Sequence, residues 1–469
     1  MHKRPLIALL AAATALTAPP VCAQDSEVDI LRSEIEAMRA EMQAMNARMD
    51  ALQSRLAEAQ ADDRGKTQLA ADAPVDTPPG VAPTVPVAPA ARDTPVAVAW
   101  KGGPQISGEG GWSFKPRGRL NYDFGYVSAP DGVEDDGTGF TSEARRVRLG
   151  MQGEVPGGFG YKVEVDFAGD QVFLTDALIG YEVGDLEIIA GQHNPWQGLE
   201  ELTSSLHTSF IERAAFTDAF FFIRRVGLSG QYSRGDVLLQ GGVFTDNSAA
   251  LNDDGNNSHG VDLRAVYMPR IGDTQWHVGG SFHHRDLGDS IPAVTYRQRP
   301  FEHPSDTRFI STGSISADSE TGLGLEGAAV FGRLHVMGET FWQHVSRPGL
   351  ADPTFFGGAV EVGYFLTPDR RGYKGGVFDR VVPTDGLEKG GIGAWQVNAR
   401  YDRLDLTDAG VRGGTQDGYM LSLIWTPTAF TRLLANYARL EYTGSVLPDA
   451  QGNRDYGVDV IAMRAQIDF

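Results

Sequence analysis

The sequence predicts an all-β fold: a transmembrane antiparallel β-barrel of about sixteen strands over residues 111–469, preceded by an N-terminal coiled-coil helix. Three observations predict it. Apolar residues recur with period two through the last three-quarters of the chain. Connections alternate between tight turns and long polar loops, and the final strand alternates up to an aromatic last residue, Phe469.

Composition narrows the alternatives. The chain has 469 residues, 41 Lys plus Arg against 61 Asp plus Glu, and a net charge of −20. No apolar run of the roughly 18 residues that a membrane helix needs occurs, so a bundle of such helices is excluded. The acidic balance argues against nucleic acid as a partner, since that needs a basic surface. Of the cations, 34 are arginine. A guanidinium stays charged when partly desolvated and offers a planar fork to phosphate or carboxylate, so the placement of arginine matters.

Residues 1–23 read as a cleaved export signal, with Lys3 and Arg4 before the apolar stretch Leu6 to Ala13 and small residues at Val21-Cys22-Ala23. Cleavage there removes the single cysteine, so no disulfide framework is available. Residues 24–60 carry Val28, Leu31, Ile35, Met38, Met42, Met45, Met49, Leu52 and Leu56, spaced three and four apart without a slip. Such heptads predict a coiled-coil oligomerisation stalk, because one helix of this length cannot bury its own stripe. Residues 61–110 form a Pro/Ala-rich linker, extended and semi-rigid where proline is dense.

Within 111–469 the strands are explicit. Every odd residue of Tyr161-Lys162-Val163-Glu164-Val165-Asp166-Phe167 is apolar and every even one charged. Trp395, Val397, Ala399 and Tyr401 alternate with polar neighbours in the same way, as do Trp276, Val278, Gly280 and Phe282. Short turns at 156–158, 184–185 and 234–236 contrast with long polar stretches at 128–142, 246–258, 286–307 and 444–455. A β-sandwich would place the polar faces in bulk water. The aromatic strand ends Tyr181, Trp276, Trp342, Trp395 and Trp425 instead suit membrane-interface girdles, and a closed sheet leaves no unpaired edge in lipid. The C-terminal strand resembles the ending that outer-membrane proteins present to their insertion machinery.

A barrel of this size encloses water, so function lies in what narrows and charges the channel. Arg146 and Arg148 share the water-facing parity of their strand, whereas Arg145 has lipid-side parity and is expected at the rim. The three serve either as an anion-attracting strip or as a network with Glu143, Glu164 and Asp166. Residues 193–222, long and aromatic, are expected to fold inward as a constriction loop. Catalysis finds no support. His283 and His284 point to opposite faces of one strand, poor geometry for a metal, and neither a cofactor nor an enzymatic activity is expected.

The strings Glu143-Ala144-Arg145-Arg146-Val147-Arg148-Leu149, Gly198-Leu199-Glu200-Glu201-Leu202-Thr203-Ser204-Ser205, Phe210-Ile211-Glu212-Arg213 and Arg224-Arg225-Val226-Gly227 resemble the phosphate-selective porin O/P family, over roughly 110–469. The resemblance implies a homotrimeric outer-membrane porin in outer-membrane lipid, with a third loop folded into the pore and small anionic solutes guided by arginines. By that resemblance Arg145 and Arg146 are the paired arginines of the strip. Ser204 and Ser205 are hydroxyl donors at the constriction, Arg213 is a loop charge, and Arg224 and Arg225 line the pore. The family's phosphate-specific members carry many lysines there, whereas this loop has none and places Glu200 and Glu201 before its serines. Two alternatives stay open: a general diffusion porin or a saccharide porin, the latter using Phe220-Phe221-Phe222 as an aromatic ladder, and an envelope-tethering protein whose stalk reaches the cell wall.

Overall fold

In a computed structural model, the described residues are 96–469, apart from Lys101, 134–136, 170, 252–257 and 289–290. The expected leader, stalk and first part of the linker lie outside the described residues. The expected linker ends before residue 110: Ala97–Trp100 and Pro104–Gly108 form a hairpin whose second arm adds to the sheet at Phe114. Ala-Val-Ala-Trp carries no proline, and Pro104 is the first residue of its strand, a position that proline tolerates.

Sixteen long strands follow. They are β1 (Trp112–Ser128), β2 (Gly139–Val155), β3 (Phe159–Asp166), β4 (Phe173–Val183), β5 (Leu186–His193), β6 (Arg225–Arg234), β7 (Val237–Phe244) and β8 (His259–Tyr267). The second half is β9 (Thr274–Asp286), β10 (Ser319–Phe331), β11 (Leu334–Ser346), β12 (Thr354–Phe365), β13 (Ala394–Asp408), β14 (Val411–Thr428), β15 (Thr431–Thr443) and β16 (Tyr456–Asp468). Each pairs antiparallel with the next. The ring closes where β16 pairs β1, from Asp468 opposite Arg119 to Asp459 opposite Ser128.

The two faces follow the alternation. On β16, Ile461, Met463 and Ile467 are exposed on the outer wall, while Arg464, Gln466 and Asp468 are buried inside. Trp395 stacks on Trp425 (centroids 5.5 Å apart) near one end of the outer wall, and Tyr401 meets Tyr419 (5.4 Å) nearer the other. Amphipathic rings at two levels suit the two edges of a hydrocarbon layer. His283 is buried inside on Asp262 and His284 lies outside on Thr321, so the pair is divided between the faces.

Two connections depart from the short-and-long alternation. The link from β13 to β14, on the long-loop side, is only residues 409–410, and that from β12 to β13, on the short-turn side, is 366–393. The latter enters the barrel. Phe378 packs with Leu199, Val330 and Met337, and the Gly376 carbonyl accepts from Arg264 Nη2 at 2.8 Å. From the opposite end the loop 287–318 brings Tyr296, Phe301, Phe309 and Ile310 onto Phe341, Phe355, Leu404 and Leu440 of the inner wall. The hydrophobic core therefore lies inside the barrel, and the path left open runs along β1 to β5.

Candidate functional site

The segment 194–224 lies inside the barrel, with short helices α1 (Leu199–Leu202) and α2 (Ala215–Ala219). Irregular backbone at membrane depth must find its hydrogen bonds in protein. Arginines on three strands supply them. Arg432 of β15 donates to the carbonyls of Leu206 (2.6 Å) and Thr208 (2.9 Å), Arg464 of β16 to Ile211 (2.9 Å), and Arg400 of β13 to Glu212 (3.3 Å). Asp402 accepts from the Ala215 backbone N–H at 3.0 Å, at the start of α2, where the helix dipole favours an anion. Arg371, on the connection below, donates to the His207 carbonyl.

Against this wall, between loop and strands, the path passes through a cavity of about 340 Å³, the narrow cavity, less roomy than the vestibule below. Its lining holds seven cations (Arg117, Arg119, Arg146, Arg148, Lys162, Arg213 and Arg224) and two carboxylates (Asp176 and Glu201). Above it a second cavity of about 200 Å³ is lined by Arg145, Arg146, Glu201, Glu212, Arg213, Phe221, Ile223, Arg299 and His303, among others. Below, a wider vestibule of about 720 Å³ includes Lys115, Gln152 and Lys162. On adjacent strands Asn121 stands opposite Arg146, Arg119 opposite Arg148, and Lys115 opposite Gln152. From Lys115 to Asn121 the cations thus span about 20 Å of strand, at ~3.3 Å per residue.

Arg145 is not at the rim. The pairing of β1 with β2 shifts register between Asn121 and Tyr122, leaving Arg145 as an extra residue between Arg146 and Ala144. This bulge re-aims its side chain into the lumen, where it meets Glu212 at 3.5 Å and Glu143 at 3.9 Å. Arg148 joins Glu164 (3.1 Å) and Asp166 (2.6 Å). Arg146, between them, is 6% exposed, and its Nε and Nη1 have no hydrogen-bond partner among the described residues. The three arginines thus lie along one inner wall among carboxylates, and Arg146 is the member left uncommitted.

The remaining expected positions divide. Ser205 Oγ accepts from Arg119 Nη1 at 3.1 Å, and Ser204 Oγ accepts from the Leu206 N–H at 3.3 Å; both line the narrow cavity. Arg213 donates to the carbonyls of Glu200 (2.9 Å) and Thr203 (2.8 Å), so it also pins the loop. Arg224 pairs with Asp176 at 2.8 Å. Arg225 is buried on the inner wall near Arg285, Asp262 and Glu320, and lines neither cavity.

The loop acids do not oppose the cations as their sequence position implies. Glu200 is turned to Arg400 Nη2 at 2.8 Å, away from the path. Burial raises the Glu201 carboxyl, against the pull of Arg213 and Arg224. For Glu212 burial acts upward too, but Arg145, Arg464 and Arg146 together hold it well below the ordinary carboxylate range. Sequence reasoning missed Arg117, Arg119 and Lys162 as lining residues. The signal was the alternation Lys115-Pro116-Arg117-Gly118-Arg119 on the same parity. It also missed Arg400, Arg432 and Arg464, single inward arginines whose partners are loop carbonyls distant in sequence.

The family model described as phosphate-selective porin O and P matches residues 114–469. Over 411 residues the chain is 45% identical to an uncharacterized protein of Caulobacter vibrioides, covering 84% of this chain and 83% of that one. Porin O of Pseudomonas aeruginosa is 26% identical over 361 residues, covering 68% of this chain and 79% of that one. The solved anion-selective porin from Comamonas acidovorans shares the fold with a TM-score of 0.50 at 13% identity, covering 76% of this chain and 100% of that one.

Proposed function

The chain belongs to the phosphate-selective porin O and P family and is a passive diffusion channel of the outer membrane, and on that premise we propose that its path prefers small anions, phosphate-type anions included. The observation that carries this reading is Arg146. Its guanidinium lines both the upper and the narrow cavity, with Nε and Nη1 bonded to no described residue, so its charge is left to attract an anion along the path. Arg148, Arg119, Arg117 and Lys162 continue the positive wall toward the vestibule, with Ser204 and Ser205 beside it. Their partial pairing with Glu164, Asp166 and Asp176 weakens the hold at each step, as conduction requires. Arg145, Arg213 and Arg224 shape the constriction, and Arg225 supports the wall behind it.

The saccharide alternative calls for a row of exposed rings. Phe220 and Phe222 are core residues here, which leaves Phe221 alone, so the anion reading is the better supported. The leader directs export, and the stalk assembles the oligomer, a reading supported by its uninterrupted heptads, with three chains the number that the family resemblance implies.

The test is the reversal potential of the purified protein in a planar bilayer under a KCl gradient. Wild type is expected to be anion-selective. Arg146→Ala is expected to lower the anion-to-cation permeability ratio roughly 3- to 10-fold, about 0.7–1.4 kcal/mol. A cation-selective wild type overturns the proposal.

A further inference from the structure

The upper cavity has two chemically unlike walls. One carries Arg145, Arg146, Arg213 and Arg299. Its acids are largely taken: Glu212 by Arg145 and Arg464, Asp218 by Arg299 at 3.3 Å, and Glu201 by Arg213 at 3.4 Å. The other wall is apolar, with Phe221 and Ile223 exposed (42% and 47%) and Phe222 and Phe301 behind them.

The apolar wall is held there against backbone preference. Among the described residues only three other than glycine have positive φ: Phe221 (54°), Phe301 (52°) and Ala409 (46°). Two of the three line this one cavity. For a bulky residue that conformation is a true outlier, and such strain clusters at ligand sites. At Phe221 its consequence is direct. Phe220 packs edge-on to Tyr296 (5.5 Å) and Phe222 to Phe341 (4.8 Å), both inside the core, while the left-handed turn between them throws the Phe221 ring out into the path. Glycine would make the turn without strain, and a polar side chain would face the water column with less penalty.

We propose that this cavity is a binding site for organic monoanions with an apolar ring, aromatic carboxylates such as benzoate, in preference to inorganic anions. The carboxylate meets the cationic wall of Arg145, Arg146, Arg213 and Arg299, and the ring displaces water from Phe221 and Ile223. A strongly hydrated inorganic anion gains nothing from that second wall. The inference rests on the anion-preferring reading above, and it names a substrate class for the upper part of the same path.

Block of chloride current in planar bilayers by sodium benzoate, sodium acetate and inorganic phosphate, added to the loop side of the full-length protein, tests it. Benzoate is expected to half-block at about one-tenth the concentration of acetate, and below phosphate. In Phe221→Ser the benzoate-to-acetate gap is expected to close, and in Ile223→Ser to narrow. Equal block by benzoate and acetate in wild type overturns the inference, as does tighter block by phosphate or a gap unchanged in Phe221→Ser. Reversal potentials on the same membranes separate the two readings. Anion selectivity with equal block removes only the aromatic preference, whereas cation selectivity removes both.

Discussion

In an uninterrupted strand Arg145 and Arg146 would point to opposite faces, one to lipid and one to water. One bulged residue in β2 brings both inside, where Arg145 is absorbed by Glu212 and Glu143 and Arg146 is not. A second residue sets a pH response. Glu302, on the loop 287–318, accepts from the Ser305 N–H at 2.9 Å, and its carboxyl is raised to about 7, by burial first and then by Glu143 and Glu212. It is therefore neutral below about pH 7 and anionic above it. Stability associated with the neutral carboxyl is present below the ordinary carboxylate range and is lost as pH rises toward and through about 7. The anion-to-cation permeability ratio is expected to fall as pH is raised from about 6 to about 8, as a charge appears beside the upper cavity. In Glu302→Gln the ratio should vary less over the same interval, as read by reversal potentials at each pH.

The element that decides the pore is the segment 194–224, and it is held from two sides. Arg432 and Arg464 cap its carbonyls from the wall, and the hairpin at the tip of 366–393 supports α1 through Phe378 against Leu199. Truncating a buried phenylalanine removes about 3–5 kcal/mol of packing. Phe378→Ala, at a residue that lines none of the three cavities, is expected to loosen the loop without unmaking the barrel. The checks are a larger and noisier single-channel conductance and proteolytic cleavage within 194–224 that wild type resists. Unchanged conductance and resistance would show that the wall arginines suffice. Length and aromatic content made this loop's inward fold legible in the sequence. The second inward segment was not legible, because a connection on the short-turn side carries no periodic signal of its own and its partners, Leu199, Val330 and Met337, are dispersed along the chain.

For the whole molecule, closure is what makes the outer wall consistent with lipid. The sixteen long strands pair around a closed ring, so that among the described residues none of them is an edge of the sheet along the ring. Assembly is the role proposed for the heptad segment before it. Deleting residues 24–98 is expected to abolish trimers resistant to detergent while leaving a conducting barrel, as read by electrophoresis without heating and by bilayer conductance. Loss of envelope integrity with trimers intact would instead assign the stalk to tethering. The barrel strands were legible because period-two alternation is local and repeats in each of them, even where a register shift, as at Thr175 in β4, interrupts it.

The sequence by itself determined the sheet, its closure and the sign of the charge along one wall, since each depends on which residues share a face of a strand. Tertiary structure alone decided which of those charges remain available. That outcome turns on carboxylates and loop carbonyls brought from positions far along the chain: Glu212 onto Arg145, Glu164 onto Arg148, and nothing among the described residues onto Nε and Nη1 of Arg146. Alternation fixes direction within a strand, but the pairing of a buried charge is settled only by what folds against it.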